Sequence, residues 1–205
     1  MKRTMWAAAV ALALTAAPAF AQSSQTHAQK PQTKGTSGAM NTPNAVAPTD
    51  AKFMKEAAHG GLAEVELGNL AKDKASNDQV KQFASRMVDD HSKANDELKT
   101  LAGNKNVQLP TTLDAKDQAL KDRLSKLSGQ EFDRAYMQAM VKDHRTDVNE
   151  FRKASTSAKD PDVKAFAAKT LPTLEEHLKL AQQDSNAVGT SGSKTTHPKG
   201  TSGKK

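Results

Sequence analysis

The sequence predicts an all-α protein, a ferritin-like four-helix bundle of two antiparallel hairpins with a helical crossover. Apolar residues recur at spacings of three and four along four long segments, which is typical of helices with one buried face. No segment shows the alternation of β-branched and polar residues expected of a strand. Two links are short, whereas residues 104–128 form a long link that can cross the length of a bundle. A simple up-down bundle of five helices is the alternative.

Capping residues mark the ends of the predicted helices. Thr49 or Asp50 is expected to cap the first helix, and Gly103 is expected to end the second. Asp160 followed by Pro161 is typical of a helix start, and Pro172 is expected to kink the last helix. The predicted helical ranges are 50–74, 77–102, 114–127, 129–157 and 160–183.

The two hairpins resemble each other in sequence. Residues 77–84 are similar to residues 160–167, which lie 83 positions later. At the same offset Glu64-Val65 corresponds to Asp147-Val148. This similarity favours duplication of a helix pair.

The ends of the chain differ in composition from the middle. Residues 1–21 combine Lys2 and Arg3 with an apolar run of about 13 residues and an Ala-Phe-Ala cleavage site, which indicates a secretory signal peptide. An N-terminal membrane anchor is the alternative, although the run is short for a bilayer. After signal cleavage no transmembrane span is expected, and the periplasm is the predicted location. Residues 22–49 and 185–205 predict a disordered low-complexity linker and a disordered basic tail around a bundle of residues 50–184.

The basic charge of the chain lies in those ends. Eight of its 30 Lys and Arg residues lie outside 50–184, whereas all 23 acidic residues lie inside, so this segment carries a net charge of −1. A nucleic-acid groove needs clustered basic residues on a folded surface, so no nucleic-acid binding by the core is expected. The basic tails could contact anionic envelope surfaces weakly. The oligomeric state is not predicted.

Each long helix carries one histidine, and three of the four lie on or beside an apolar stripe. His91 and His144 each follow a methionine by four residues, in Met87-Val-Asp-Asp-His91 and Met140-Val-Lys-Asp-His144, and His177 adjoins Leu174 and Leu178. The spacing places each methionine and its histidine on one helix face. The candidate metal ligands are the histidines, the two methionines and two nearby carboxylates of the first helix, namely His91, His144, His177, His59, Met87, Met140, Glu64 and Glu66.

The crossover arrangement predicts how far along the bundle axis each of these residues lies. At a rise of 1.5 Å per residue, His59, His91 and His144 are expected at about one level. His177 and Glu66 are expected about one to two turns nearer the same end.

Thioether and imidazole groups together suit copper, and iron is the second candidate. The alternative is that the methionines fill the core and each histidine hydrogen-bonds a carboxylate. A dinuclear iron centre needs two Glu-x-x-His motifs, and only Glu56-Ala-Ala-His59 matches. No cysteine and no Gly-x-Ser-x-Gly string occurs, so nothing indicates hydrolysis.

Residues 50–184 resemble the exported bacterial family called domain of unknown function 4142, a ferritin-like group whose members are often labelled outer membrane proteins. The resemblance lies in Phe53, in His59-Gly-Gly-Leu-Ala-Glu-Val-Glu-Leu-Gly68, in both Met-to-His strings, in Gly129 with Phe132-Asp133 and Tyr136, and in Leu171-Pro172 with Leu174, His177 and Leu178. It implies the ferritin-like fold and export, and it implies no activity.

The leading hypothesis is a non-enzymatic periplasmic ferritin-like bundle that binds a metal and serves envelope stress response or metal handling. The alternatives are a ligand-free helical interaction module and a dinuclear-metal oxidoreductase.

Overall fold

The computed structural model describes residues 46–191 of the chain and shows an all-α bundle. The predicted signal peptide, most of the predicted linker and residues 192–205 lie outside the described residues. Within the described range there is no strand, and no helix is both long enough and apolar enough to cross a membrane. The helices are α1 (Pro48–Lys74), α2 (Asp78–Asn104), α3 (Ala115–Ser125), α4 (Gly129–Ser157) and α5 (Pro161–Ser191).

Three predicted helix ends need correction. α1 begins at Pro48 without a side-chain cap, so neither Thr49 nor Asp50 caps it. Gly103 lies inside α2, and the chain leaves the helix only near Asn106, whose φ is 54°. α5 continues to Ser191, although a disordered tail was predicted from residue 185. The physical reason is Val188, which is only 6% exposed because it packs into the core two turns beyond Ala181.

The helices form two antiparallel hairpins whose second and third long members run parallel, which confirms the crossover. Within the second hairpin Phe151 of α4 packs on Phe166 of α5, at 6.0 Å between ring centroids. Phe83 of α2 faces Tyr136 of α4 at 6.3 Å, and His91 faces His144 at 5.7 Å, so both helices advance in the same direction. The up-down alternative is therefore wrong.

Glycine allows α1 and α2 to approach closely. A Cβ added to Gly68 would lie 2.8 Å from Val88 Cγ2 and 3.1 Å from the carbonyl oxygen of Ala84. A Cβ on Gly61 would lie 1.9 Å from Asn95 Oδ1. A larger residue at position 68 would push the two helices apart, whereas at position 61 the Asn95 side chain would have to move.

The crossover runs over the side of the bundle where α1 and α4 meet. α3 begins at Asp114, whose side chain caps it by accepting a hydrogen bond from the N–H of Asp117 at 2.8 Å. Lys121 of α3 pairs with Glu66 of α1 at 2.6 Å, and Lys116 lies 3.9 Å from Asp143 of α4. The long link therefore contacts both hairpins.

Two buried aspartates hold the hairpins together by a reciprocal exchange of hydrogen bonds. Asp50 accepts from the N–H groups of Lys159 and Asp160, at 2.8 and 2.7 Å, at the turn of the second hairpin. Asp133 accepts from the N–H groups of Ser76 and Asn77, at 3.0 and 3.1 Å, at the turn of the first. Asp133 lies 83 positions after Asp50, and the turn at 159–160 lies 83 positions after the turn at 76–77, which is the offset of the sequence similarity.

Replacing Asp133 with alanine should destabilise the protein by about 1–3 kcal/mol, because the two backbone N–H groups at the turn of the first hairpin would lose their buried acceptor. Urea unfolding followed by circular dichroism measures this. Asp73→Ala is the matched control, since Asp73 is exposed on α1 and should change stability by less than about 0.5 kcal/mol. Equal stability of the two variants would contradict the assigned role of Asp133.

Candidate metal centre

A layer of buried polar side chains separates two hydrophobic clusters of the core. One cluster lies around Phe83, Phe132 and Tyr136, and the other around Phe53 and Phe151. The layer between them contains four polar residues that are at most 6% exposed, namely Glu64, His91, His144 and His177. Such groups are expensive to bury without partners, so their arrangement needs an explanation.

Three histidines from three different helices meet in this layer. One ring nitrogen from each of His91, His144 and His177 lies within 4.8 Å of the other two. The ring centroids are 5.4 to 5.7 Å apart. A tetrahedral metal with ligands at 2.0–2.1 Å places neighbouring nitrogens about 3.3 Å apart, so the rings would close in by up to about 1.5 Å on binding.

Hydrogen bonds orient two of the rings. His144 Nδ1 donates to the carbonyl oxygen of Met140 at 3.0 Å, and His177 Nε2 donates to Asp90 Oδ2 at 3.0 Å. Arg86 in turn lies 3.3 Å from Asp90. These bonds leave His144 Nε2 and His177 Nδ1 as the nitrogens with free lone pairs, and both are buried without a hydrogen-bond partner. His91 Nε2 is also buried without a partner.

Burial keeps the three rings neutral at neutral pH. Burial, followed by the charges of His144 and His177, lowers the pKa of His91 well below its ordinary value. Burial and the neighbouring His177 lower the pKa of His144 to about 4. Burial also lowers the pKa of His177, against the opposing effect of Asp90. Neutral imidazole is the form that binds metals.

A group of three carboxylates adjoins the histidines where α1 meets α4. One oxygen from each of Glu64, Asp143 and Asp147 lies within 4.8 Å of the others. Glu64 Oε1 is 3.5 Å from His144 Nδ1. Burial, and next the charge of Asp143, raises the pKa of Glu64 well above its usual range. Burial and then the charge of Glu64 raise the pKa of Tyr136, whose hydroxyl is buried.

Two predicted ligands lie outside the cluster. Glu66 is exposed and pairs with Lys121, because it points away from the core that Glu64 faces. His59 lies on a different face of α1 from Glu64, and it belongs to neither group of potential ligands. The predicted level of His177 is also wrong, since α5 extends seven residues past 184 and His177 lies level with His91.

The predicted methionines border the layer. Met87 and Met140 are fully buried in the hydrophobic cluster around Phe83, and Met140 supplies the carbonyl group that orients His144. Asp90, Asp143 and Asp147 were missed. A signal for two of them was present, since an aspartate directly precedes the histidine in both Met-to-His strings.

Space for a small ligand exists on two sides of the histidines. A cavity of about 20 Å³ lies against His91, with Asn95 and Asp147 in its lining, which is room for one water molecule. A groove of about 260 Å³ between α2 and α5 reaches both His91 and His177 from the surface. The ion pair of Lys169 with Glu97, at 2.8 Å, spans this groove.

The sequence model of the family described as "Domain of unknown function (DUF4142)" matches residues 35–183. The chain belongs to this family. No curated protein matches the chain. The DUF4142 match begins within the predicted linker and ends eight residues before the last residue of α5.

Solved structures share the fold of this DUF4142 chain. A DUF305 fragment from Deinococcus radiodurans has a TM-score of 0.62 and 13% identity, with 71% of this chain and 99% of that chain covered. A DUF305 protein from Streptomyces coelicolor, described as secreted, has a TM-score of 0.59 and 17% identity, with 69% and 92% covered. CopM in a Cu(II)-bound form has a TM-score of 0.58 and 17% identity, with 67% and 96% covered. At these identities the similarity concerns the fold.

The neutral state of His144 should make its contribution to stability pH-dependent. Its pKa is about 4 in the folded chain and about 6.5 when unfolded, so the unfolded state binds more protons between these values. The contribution is fully present above pH 6.5 and is lost as the pH falls toward 4. Between pH 7 and 5 the stability difference between wild type and His144→Gln should fall by about 2 kcal/mol.

This difference is measured by urea unfolding of both proteins with a chelator present. Glu64 and Asp147 have raised pKa values, so their contribution to the free energy of unfolding grows as the pH falls. Both proteins contain these two groups, and subtracting one free energy from the other removes their contribution. A difference that stays constant from pH 7 to pH 5 would show that His144 titrates as it does in water.

Proposed function

We propose that this protein is an exported metal-binding bundle that holds one copper ion on His91, His144 and His177 and serves metal handling in the periplasm. One observation carries the proposal: three buried imidazole nitrogens without hydrogen-bond partners converge from three helices. Buried polar atoms in proteins nearly always have partners, and a metal ion would satisfy all three at once.

A purely structural role for the rings explains the geometry less well. Leaving one buried donor or acceptor unsatisfied costs about 1–3 kcal/mol, and here three such atoms face one another. In a ligand-free interaction module, both ring nitrogens of each histidine would be expected to hydrogen-bond a carboxylate or a carbonyl group. His144 and His177 each have such a partner at one nitrogen only.

The donor set favours copper among the divalent metals. Imidazole ligands suit copper, zinc, iron and nickel, and Cu²⁺ has the highest affinity in the general order of stability. Buried Met87 and Met140 lie one turn from His91 and His144, so polarisable sulfur borders the site. The copper-bound CopM has a similar fold, which supports the choice without identifying ligands in this chain.

Asp90 supplies the negative charge that a cation in this layer needs. Partial burial raises the pKa of Asp90, but the hydrogen bond from His177 and the neighbouring Arg86 lower it by more, so the net shift is downward. Asp90 therefore stays ionised and holds His177 with Nδ1 free. A carboxylate behind a metal-binding histidine fixes the ring and makes it a stronger ligand.

The groove between α2 and α5 supports exchange of the ion with solution. His91 and His177 line it, and Asp90 at its edge is 27% exposed at the side chain. An ion could reach the rings there without unfolding of the bundle. Release of this kind is what storage or transfer of copper requires.

Redox catalysis at a dinuclear centre has less support. The only sequence match to its ligand motif, Glu56 with His59, lies outside the histidine cluster among the described residues. Glu56 pairs with Lys52 on the surface of α1. Metal binding without catalysis is therefore the proposed activity.

The test is equilibrium dialysis of the full chain against Cu²⁺ with a competing chelator. Wild type should retain one tightly bound ion more than the double variant His91→Ala/His144→Ala. His59→Ala is the matched control, because it removes an imidazole from α1 outside the cluster, and it should bind as wild type does. Circular dichroism checks that each variant remains helical.

Equal copper content in wild type and a folded double variant would overturn the proposal. In that case the interaction module becomes the better description, and the double variant should differ from wild type only in stability, by roughly 1–3 kcal/mol.

A further inference from the structure

We propose that Glu64, Asp143 and Asp147 form a second cation site, for a hard divalent ion of the size of Ca²⁺. This site is separate from the proposed copper site and does not depend on it. It lies on the other side of His144, whose Nδ1 edge is 3.5 Å from Glu64 while Nε2 is left for the copper ion.

The carboxylates are brought together by the internal duplication of the fold. Glu64 on α1 and Asp147 on α4 are 83 residues apart and occupy equivalent positions in the two hairpins. The crossover places these helices side by side, so the two equivalent carboxylates meet. Asp143, one turn before Asp147, completes the group, whose nearest oxygens lie within 4.8 Å of one another.

Glu64 is the observation that points to a ligand. Its side chain is completely buried, and no N–H or hydroxyl group among the described residues donates a hydrogen bond to its carboxylate oxygens, whose close polar neighbour is the carboxyl group of Asp143. The Glu64 side chain lies against Asp143 and Asp147, since one of its oxygens is within 4.8 Å of an oxygen of each. A buried carboxylate without donors is among the most costly groups in a protein interior, and a bound cation would remove that cost.

Positive charge from the protein is scarce at this position. Among the described residues, Lys116 is the basic side chain paired with the group, at 3.9 Å from Asp143, and it is 71% exposed. Lys116 also lies 3.6 Å from Asp117, a fourth acidic side chain at the start of α3. With one solvated ammonium group as the neighbouring positive charge, a cation that binds among these carboxyl groups meets little competition from basic side chains of the protein.

The chemistry of the ligands selects a hard ion, because carboxylate oxygens suit Ca²⁺ and Mg²⁺ rather than softer metals. Ca²⁺ accepts oxygen ligands in a flexible geometry, whereas Mg²⁺ requires a nearly ideal octahedron. Ca²⁺ is therefore the ion that three carboxylates from two helices suit better. Water would complete the coordination. Gly60 leaves room for it, because a Cβ there would still lie 3.8 Å from both Asp147 oxygens.

Terbium luminescence of the full chain tests this site, with Tb³⁺ as the probe for a Ca²⁺ position. Tyr136 is the only tyrosine of the chain, and its ring packs on Phe83, which also contacts His144 beside Glu64, so light absorbed by Tyr136 should excite a terbium ion held there. The expected result is tyrosine-sensitised emission that Ca²⁺ displaces. Glu64→Gln and Asp147→Asn should each weaken apparent Ca²⁺ affinity at least about tenfold.

Two control variants distinguish this site from the exposed carboxylates of α1 and from the proposed copper site. Glu66→Gln removes an exposed carboxylate two residues from Glu64 and should leave the titration unchanged. His177→Ala removes a proposed copper ligand and should also leave it unchanged, so loss of copper binding alone would concern only the first site. Tyr136→Phe should abolish the emission while Ca²⁺ still raises the melting temperature.

Absence of displaceable emission in wild type would overturn the proposal, as would emission that survives in both Glu64→Gln and Asp147→Asn. The melting temperature gives an independent reading. Ca²⁺ should raise it in wild type and in Glu66→Gln, and no rise in wild type would likewise contradict a calcium site.

Discussion

The structure depends on a layer of polar side chains that crosses an otherwise hydrophobic core. Aromatic and aliphatic clusters pack on both sides of this layer and limit the access of water to it. Because few water molecules can reach the layer, its buried imidazole and carboxyl groups depend on partners inside the protein or on a bound ion. Some of these groups have hydrogen-bond partners among the described residues, and the polar atoms that lack partners face one another.

Topology determines which side chains share the layer. The crossover makes α2 and α4 parallel and brings α1 against α4, so the histidines of three helices meet while Glu64 meets Asp147. Asp50 and Asp133 reinforce this arrangement, because each ties its helix to the turn of the other hairpin. The duplicated hairpin thus supplies a symmetric frame. The histidines break that symmetry, since Leu174 lies 83 residues after His91.

The fold was predictable because its determinants are local. Apolar spacing, the caps at Asn77 and Asp160 and the length of the link before α4 all act within a few residues of the elements they specify. The end of α5 was mispredicted because burial of Val188 depends on a distant surface.

The candidate site was predictable only in part. The apolar stripes indicated that His91, His144 and His177 face inward, and the structure buries all three. The partner of His177 is Asp90, 87 residues away, and no local pattern links them. His59 was a candidate as the histidine of the first helix and Glu66 as a carboxylate near it, and neither reason determines the face on which a side chain lies.

Anomalous diffraction at the copper absorption edge from crystals of the copper-loaded protein tests whether the three histidines hold the ion. We expect one strong peak within about 2.0–2.1 Å of His91 Nε2, His144 Nε2 and His177 Nδ1. A peak confined to the surface, or rings that remain apart with no copper between them, would contradict that expectation.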